Sequence, residues 1–333
     1  MKILAIVLAG GEGTRLYPLT ANSPKPVVPF VNGYRIVDFV LSNLVNSGIA
    51  PIYVVGQYKP ESLVRHIATA WSRWSDGPES AIRIVLPKER EGERFKGTAD
   101  AVYQNLSLIE RHRPDLVAIF AADHVYRMDV RQMVDFHTAR NAEVTVAAIP
   151  VPIDEASSFG VLVTDTDGSI REFQEKPERP VATPHDPARA HASMGNYLFA
   201  PDVLVNVLEA AQRRGAVDFG SDVMPGLTRR YRVLAYDFTR NEVPGLKPYE
   251  ERGYWRDVGT IASLAAARND VIGPHPRFDL WNRRWPIHGE ARTELFRGLS
   301  EWNARADDRI SPERARVRAA GIDRHTAEPM HPS

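Results

Sequence analysis

The chain contains no cysteine. Disulfides, thiolate nucleophiles and cysteine-bound zinc are therefore excluded, and a cytoplasmic setting is expected. Lysine is scarce too: seven of the 42 basic residues, the rest being arginine. A lysine inside a motif thus carries more weight. Neither sign of charge dominates, since 42 acidic residues balance the basic ones. The basic excess or stripe of a nucleic-acid binder is missing. So are long apolar runs: nothing approaches the ~20 residues of a membrane span. The opening MKILAIVLAGGEG has too short an apolar run, and no small-residue cleavage pattern, for a secretory signal. No internal repeat is visible.

What is present is an alternation. Residues 3–9 form a continuous apolar run ending in glycines, which predicts a strand buried on both faces. Residues 35–47 carry apolar positions at helical spacing. Strands are predicted at 52–55, 82–86, 116–121 and 143–150. Helices are predicted at 61–69, 98–110 and 130–139, with Thr98 as the N-cap of the second. Buried strands alternating with amphipathic helices predict an α/β fold with a mostly parallel sheet covered on both faces. Residues 159–164 and 170–174 flank a Thr-Asp-Gly-Ser turn at 166–169, a hairpin signal. Residues 178–190 read as a loop and 195–199 as a strand, with helices near 201–213 and 260–271. Residues 289–333 are rich in Arg, Asp and Glu. They are expected to form a charged tail with one amphipathic helix near 292–305 and a poorly ordered end.

The segment Leu8-Ala9-Gly10-Gly11-Glu12-Gly13-Thr14-Arg15-Leu16 follows the first strand. Its glycines let main-chain N–H groups approach an anion with no Cβ in the way. Arg15 adds a donor fork suited to phosphate oxygens. It is not a P-loop, which needs a lysine after its second glycine. The dinucleotide fingerprint also fails, because Leu16 stands where its third glycine belongs. A tight strand-to-helix turn without a ligand is the alternative. Next comes Ser23-Pro24-Lys25-Pro26, where flanking prolines display Lys25 on a stiff, extended segment. Asp123 follows a buried strand, a position that points into the ligand crevice of a parallel sheet. With Asp257, in Trp-Arg-Asp-Val-Gly, it could hold Mg²⁺, which takes few protein oxygens plus substrate phosphates. Helix capping by Asp123, and pairing of Asp257 with Arg256, compete with that reading. His124 reads as a bystander. Glu175 and Lys176 follow a strand, where neighbouring side chains point to opposite faces. Both can meet one ligand only if the backbone leaves the strand there; a surface ion pair is the alternative.

L-A-G-G-x-G-T-R-L followed by P-K-P resembles the signature of sugar-nucleotide pyrophosphorylases. Other segments are similar to the glucose-1-phosphate adenylyltransferase family within them. These are Tyr34-Arg35-Ile36-Val37-Asp38-Phe39 with Leu41-Ser42-Asn43, Gly97-Thr98-Ala99-Asp100-Ala101-Val102, Ala122-Asp123-His124-Val125-Tyr126, Phe159-Gly160-Val161 and Glu175-Lys176-Pro177. Ala192-Ser193-Met194-Gly195, Tyr254-Trp255-Arg256-Asp257-Val258-Gly259-Thr260 and Trp285-Pro286-Ile287 complete the set. The resemblance spans about residues 3–288, in order.

The resemblance implies a Rossmann-like nucleotide-diphospho-sugar transferase fold, with residues 1–288 as a nucleotidyltransferase catalytic domain. It implies ATP and glucose 1-phosphate as substrates and ADP-glucose and pyrophosphate as products, for glycogen or related α-glucan synthesis. It places Mg²⁺ on Asp123 and Asp257, and glucose 1-phosphate on Gly160, Glu175, Lys176 and Ser193. Gly10, Gly11, Gly13, Thr14, Gly97 and Thr98 are expected to hold the nucleotide, with Gln57 the candidate for reading the base. Arg15, Lys25 and Asp123 are the expected catalytic residues.

The sequence also departs from the family. Phe95-Lys96 stands where Tyr-Arg is usual, and the loop at 88–94 is shorter. Asn22-Ser23 replaces the basic pair of members activated by sugar phosphates, which speaks against that activation. Residues 289–333 lack the six-residue repeat of the family's left-handed β-helix domain, so any homo-oligomer is expected to be weakened or altered. Two alternatives stand beside the main reading: another nucleotide and sugar-phosphate pair, or a non-catalytic metabolite-sensing paralogue. An NAD-linked oxidoreductase is disfavoured by the broken glycine fingerprint.

Overall fold

A computed structural model of the chain describes residues 1–75, 81–87 and 94–289. The predicted helix at 292–305, the rest of the charged tail after Gly289, and residues 88–93 of the predicted loop lie outside them.

The first half of the chain lays down β1 (Ile3–Leu8), α1 (Ile36–Asn46), β2 (Ile52–Val55), α2 (Glu61–Ala70), α3 (Ser72–Ser75) and β3 (Ile82–Val85). Then come α4 (Thr98–Tyr103), α5 (Ser107–His112), β4 (Leu116–Ala121), β5 (His124–Tyr126), α6 (Val130–Ala139) and β6 (Val144–Pro152). The second half adds β7 (Gly160–Thr164), β8 (Ile170–Glu175), β9 (Arg189–Phe199), α7 (Pro201–Arg213), α8 (Met224–Leu227), β10 (Val233–Asp237), β11 (Trp255–Asp257) and α9 (Ile261–Asn269).

The main sheet runs β10-β6-β9-β4-β1-β2-β3, with the β7–β8 hairpin attached to β9. The strands β3, β2, β1 and β4 are parallel, as are β6 and β10; β9 is antiparallel to both its neighbours. Alternate residues of β1 explain the two-faced burial. Ala5 and Val7 pack with α1, α2 and α6 side chains, among them Leu41, Leu63 and Met133. Leu4 and Ile6 pack on the other side with Ile109 of α5 and Leu204 and Leu208 of α7. The predicted α/β architecture with helices on both faces is what forms.

Three local expectations need correction. Residues 98–110 are two short helices, because Gln104, Asn105 and Leu106 turn the chain between α4 and α5. Thr98 is not the N-cap of α4: Gly97 is, and the Thr98 hydroxyl is bonded elsewhere. Finally, β9 begins at Arg189, six residues before the predicted Gly195. Its pairing with β6 shifts register between Val146 and Ala148, opposite Ser193 to Tyr197. Bulges of this kind bend a strand and re-aim side chains beside functional clefts. Here Gly195 adopts φ +68°.

Candidate active site

A cleft of about 740 Å³ opens at the carboxyl ends of β1, β2 and β4. Gly10, Gly11, Lys25, Gln57, Gly97, Thr98, Asp123, Glu175 and Lys176 line it. Nine of the residues singled out from the sequence thus line one cleft.

Three segments distant in sequence meet at its floor. The ammonium of Lys25 lies 3.1 Å from Asp123 Oδ2 and 3.2 Å from Asp257 Oδ1. The Lys25 side chain is 8% exposed, against 38% for Asp123 and 23% for Asp257. Lys25 sits on a short buried 3-10 turn, Lys25–Val27, whose N-cap is Pro24, and not on the extended segment that its flanking prolines predict. Its approach depends on Gly13, at φ +65°: a Cβ there would stand 2.8 Å from the Lys25 Cβ. Asp257 reaches Asp123 because β11 pairs antiparallel with β5, placing Asp257 opposite His124. Burial alone would raise the Asp123 pKa. His124 and the Lys25 ammonium, which also donates to its carboxylate, override burial and hold it at about 2.

The remaining phosphate-loop candidates flank the wall. Arg15 belongs to a 3-10 turn, Thr14–Leu16. A Cβ on Gly259 would fall 2.9 Å from its guanidinium and 3.1 Å from both Asp257 oxygens. Gly259 therefore lets Arg15 and Asp257 close on the same stretch of main chain, a role the sequence reading had not given it. Thr14 is exposed at the start of that turn.

On the opposite wall, β8 ends at Glu175 and the backbone leaves the strand at Lys176, with φ +45°. A non-glycine residue in this region is uncommon and costs of order 1–3 kcal/mol. The bend brings both side chains into the cleft, with Lys176 Nζ 2.9 Å from Glu175 Oε1. Both alternatives weighed from the sequence are thus realised: an ion pair, and a shared direction. Glu175 Oε2 lies close to Gly160 and Gly220, where an added Cβ would stand at 3.2 and 2.7 Å. Ser193 is set behind this wall; its Oγ accepts from the Gly195 N–H at 3.3 Å and its side chain bonds Tyr197. Burial pushes the Tyr197 phenol up to about 12.

Two residues assigned to the nucleotide have their polar groups engaged within the protein. Gln57 donates to the Phe95 carbonyl at 3.0 Å and accepts from the Phe95 N–H at 2.6 Å. It holds the Phe95 segment against the end of β2. The Thr98 hydroxyl donates to Asp218 Oδ1 at 3.0 Å and accepts from the Phe219 N–H at 2.9 Å. Gly97 is extended, yet a Cβ there would meet the Val217 carbonyl at 2.6 Å. Asp218, Phe219, Gly220, Ser221, Gly195 and Tyr197 also line the cleft and were not foreseen. Phe219–Val223 forms a single π-helical turn, a feature frequent at functional sites.

The floor suits a divalent cation. Asp123, His124 and Asp257 each offer a ligand atom, all within 4.8 Å of one another. Asp123 Oδ1 and His124 Nδ1 are buried without a hydrogen-bond partner. Two carboxylates beside a space for phosphate oxygens match the oxygen-rich, partly open shell of Mg²⁺.

The family model described as Nucleotidyl transferase matches residues 4–272. The chain is similar to the glucose-1-phosphate adenylyltransferase of Thermodesulfovibrio yellowstonii, 55% identical over 289 residues, covering 86% of this chain and 70% of the relative. It is also similar to the enzymes of that name from Corynebacterium aurimucosum, 50% identical over 290 residues, and Thermus thermophilus, 48% identical over 296. Each of these matches covers 86% of this chain and 71% of the relative. Among the described residues, no helix is long and apolar enough to cross a membrane.

Proposed function

We propose that this chain, which belongs to the nucleotidyl transferase family, transfers the adenylyl group of ATP to α-D-glucose 1-phosphate, giving ADP-glucose and pyrophosphate. The supporting observation is the convergence of Lys25, Asp123 and Asp257 within 3.2 Å, between the glycine loop and the Glu175–Lys176 wall. The product fits α-glucan synthesis, and both substrates fit a cytoplasmic location. Residues 1–288 would act as one catalytic unit.

Glucose 1-phosphate is largely dianionic near neutral pH, since the second pKa of a phosphate monoester is about 6. Its phosphate oxygen attacks the α-phosphorus of ATP directly. A new P–O bond forms, the α–β bridge breaks, and its electrons leave with pyrophosphate. No Ser-His pair is required. The barrier lies in gathering anions and stabilising the leaving group, which positioned cations achieve.

In this reading Gly10 and Gly11 present main-chain amides to the nucleotide phosphates. Gly13 and Thr14 shape the turn that carries Arg15 towards pyrophosphate. Lys25 sits over the phosphates. Gln57, through Phe95, and Thr98, next to Gly97, form the wall beside the nucleoside. Lys176 takes the phosphate of glucose 1-phosphate, and Glu175 accepts from sugar hydroxyls, backed by Gly160 and Ser193. Mg²⁺ held by Asp123 and Asp257 supplies charge neutralisation on the reacting phosphates.

Purified chain supplied with ATP, glucose 1-phosphate and Mg²⁺ is expected to release pyrophosphate. UTP, GTP or dTTP, and other sugar phosphates, are expected to react more slowly. Arg15→Ala and Asp123→Asn should each lower turnover about 100-fold or more, the usual scale for one transition-state charge contact. Near-normal turnover by both variants, in both directions, would remove the assignment.

A further inference from the structure

The floor of the cleft already carries a cation of the protein's own. Lys25 Nζ bridges Asp123 and Asp257 at 3.1 and 3.2 Å, nearly shielded from solvent. It offsets one of the two negative charges on the carboxylates that would hold the metal, but it does not complete the site. Asp123 Oδ1 and His124 Nδ1 stand 3.3 Å apart, both buried and neither hydrogen-bonded. The ammonium supplies charge and three donors; it meets Asp123 at Oδ2, which leaves Oδ1 and the adjacent His124 Nδ1 outside its hydrogen bonds. Its main chain is held in place, packed against Gly13 and with its N–H directed to the Gly11 carbonyl. Beyond it, four rotatable side-chain bonds separate the ammonium from the backbone.

We propose that Lys25 is a built-in competitor for the divalent cation. The metal enters by displacing the ammonium from the two carboxylates. The freed ammonium then takes a new anionic partner in the same cleft, the phosphates of the nucleotide, so metal and nucleotide promote each other's binding. Without nucleotide, Lys25 lowers the negative charge of the site and so keeps its affinity for metal low. The proposal rests on the reading of the site given above, but its test involves no turnover and no nucleotide.

Mn²⁺ alone is titrated into the full chain, and free Mn²⁺ is read by electron paramagnetic resonance. Lys25→Ala is expected to bind Mn²⁺ at least roughly tenfold more tightly, because the metal no longer has to displace an ammonium paired with both carboxylates. Lys25→Arg, which keeps the charge, should stay within about threefold of the unsubstituted protein. The gain should vanish in Lys25→Ala/Asp123→Asn. In the unsubstituted protein, Mn²⁺ should speed labelling of Lys25 by an amine-reactive reagent, read by peptide mass spectrometry; this arm needs no variant to fold. Unchanged or weaker binding by Lys25→Ala, a gain that survives Asp123→Asn, or an unaltered labelling rate overturns the proposal.

Discussion

Gly11 and Gly13 lie two residues apart and lack a side chain for different reasons. Gly13 has φ +65° and its missing Cβ is the room Lys25 occupies. Gly11 has nothing within 4 Å of where a Cβ would sit. Gly13→Ala should therefore cost about 1–2 kcal/mol of stability from backbone strain alone, and turnover should fall further as the added methyl group pushes Lys25 away from the substrate phosphates. Gly11→Ala should leave the melting temperature unchanged while raising the KM for ATP, since only a ligand would meet the methyl group. Thermal melts and steady-state kinetics on the two variants separate these effects. Residues of this kind were legible because their chemistry is local: a glycine run after a strand, a lysine between prolines, an aspartate at a strand end. Gln57 and Thr98 were legible as cleft residues but not in their partners, which are the Phe95 main chain and Asp218. Asp218 and Tyr197 were missed because nothing beside them in sequence announces that the fold delivers them to this wall.

The strands and helices read from periodicity are those with a full buried face, such as β1, α1, β4 and α7. The early half of β9 escaped because its buried residues begin with the small Ala190 and Ala192, which alternate with the half-buried His191 and Ser193. The ribbon of β5 and β11 escaped because three residues are too few to show a period. Yet this ribbon places Asp257 opposite His124, and a two-stranded piece so short has little stability of its own. It is held from α1. The fully buried Asn43 donates to the Tyr126 carbonyl at 3.2 Å and accepts from the Met128 N–H at 2.9 Å. Next to it in the helix, Ser42 Oγ accepts from the His288 N–H at 2.7 Å. Asn43→Ala strands two buried main-chain groups, at a cost of about 1–3 kcal/mol each. Denaturant unfolding should show that loss. Turnover of the still-folded protein should fall, mainly through a weaker apparent affinity for Mg²⁺, because the strand after Asp123 is no longer anchored.

Across the whole molecule, burial of histidine sets how stability responds to mild acid. His137 on α6 bonds Thr145 of β6 at 2.8 Å, and His191 of β9 bonds Thr164 of β7 at 3.0 Å. His288 bonds Asn46 of α1 at 2.9 Å. Burial lowers the pKa of all three below the ordinary value. In the unfolded chain each protonates near pH 6.5. Below that pH the unfolded state binds more protons than the folded state, so stability falls as pH falls. Above it the three contribute no pH dependence. Glu251 and Asp222 have lowered carboxyl pKa values; their loss of stability begins only near pH 4.5, below this window. Melting temperature should therefore be level from pH 8 to about 7 and drop by several degrees between pH 6.5 and 5.5. His137→Gln keeps a donor and acceptor near Thr145 but cannot charge, so its curve should be flatter across that interval, whatever its starting value. A substituted protein whose melting temperature falls as steeply as the parent's would show that His137 takes no part in the response.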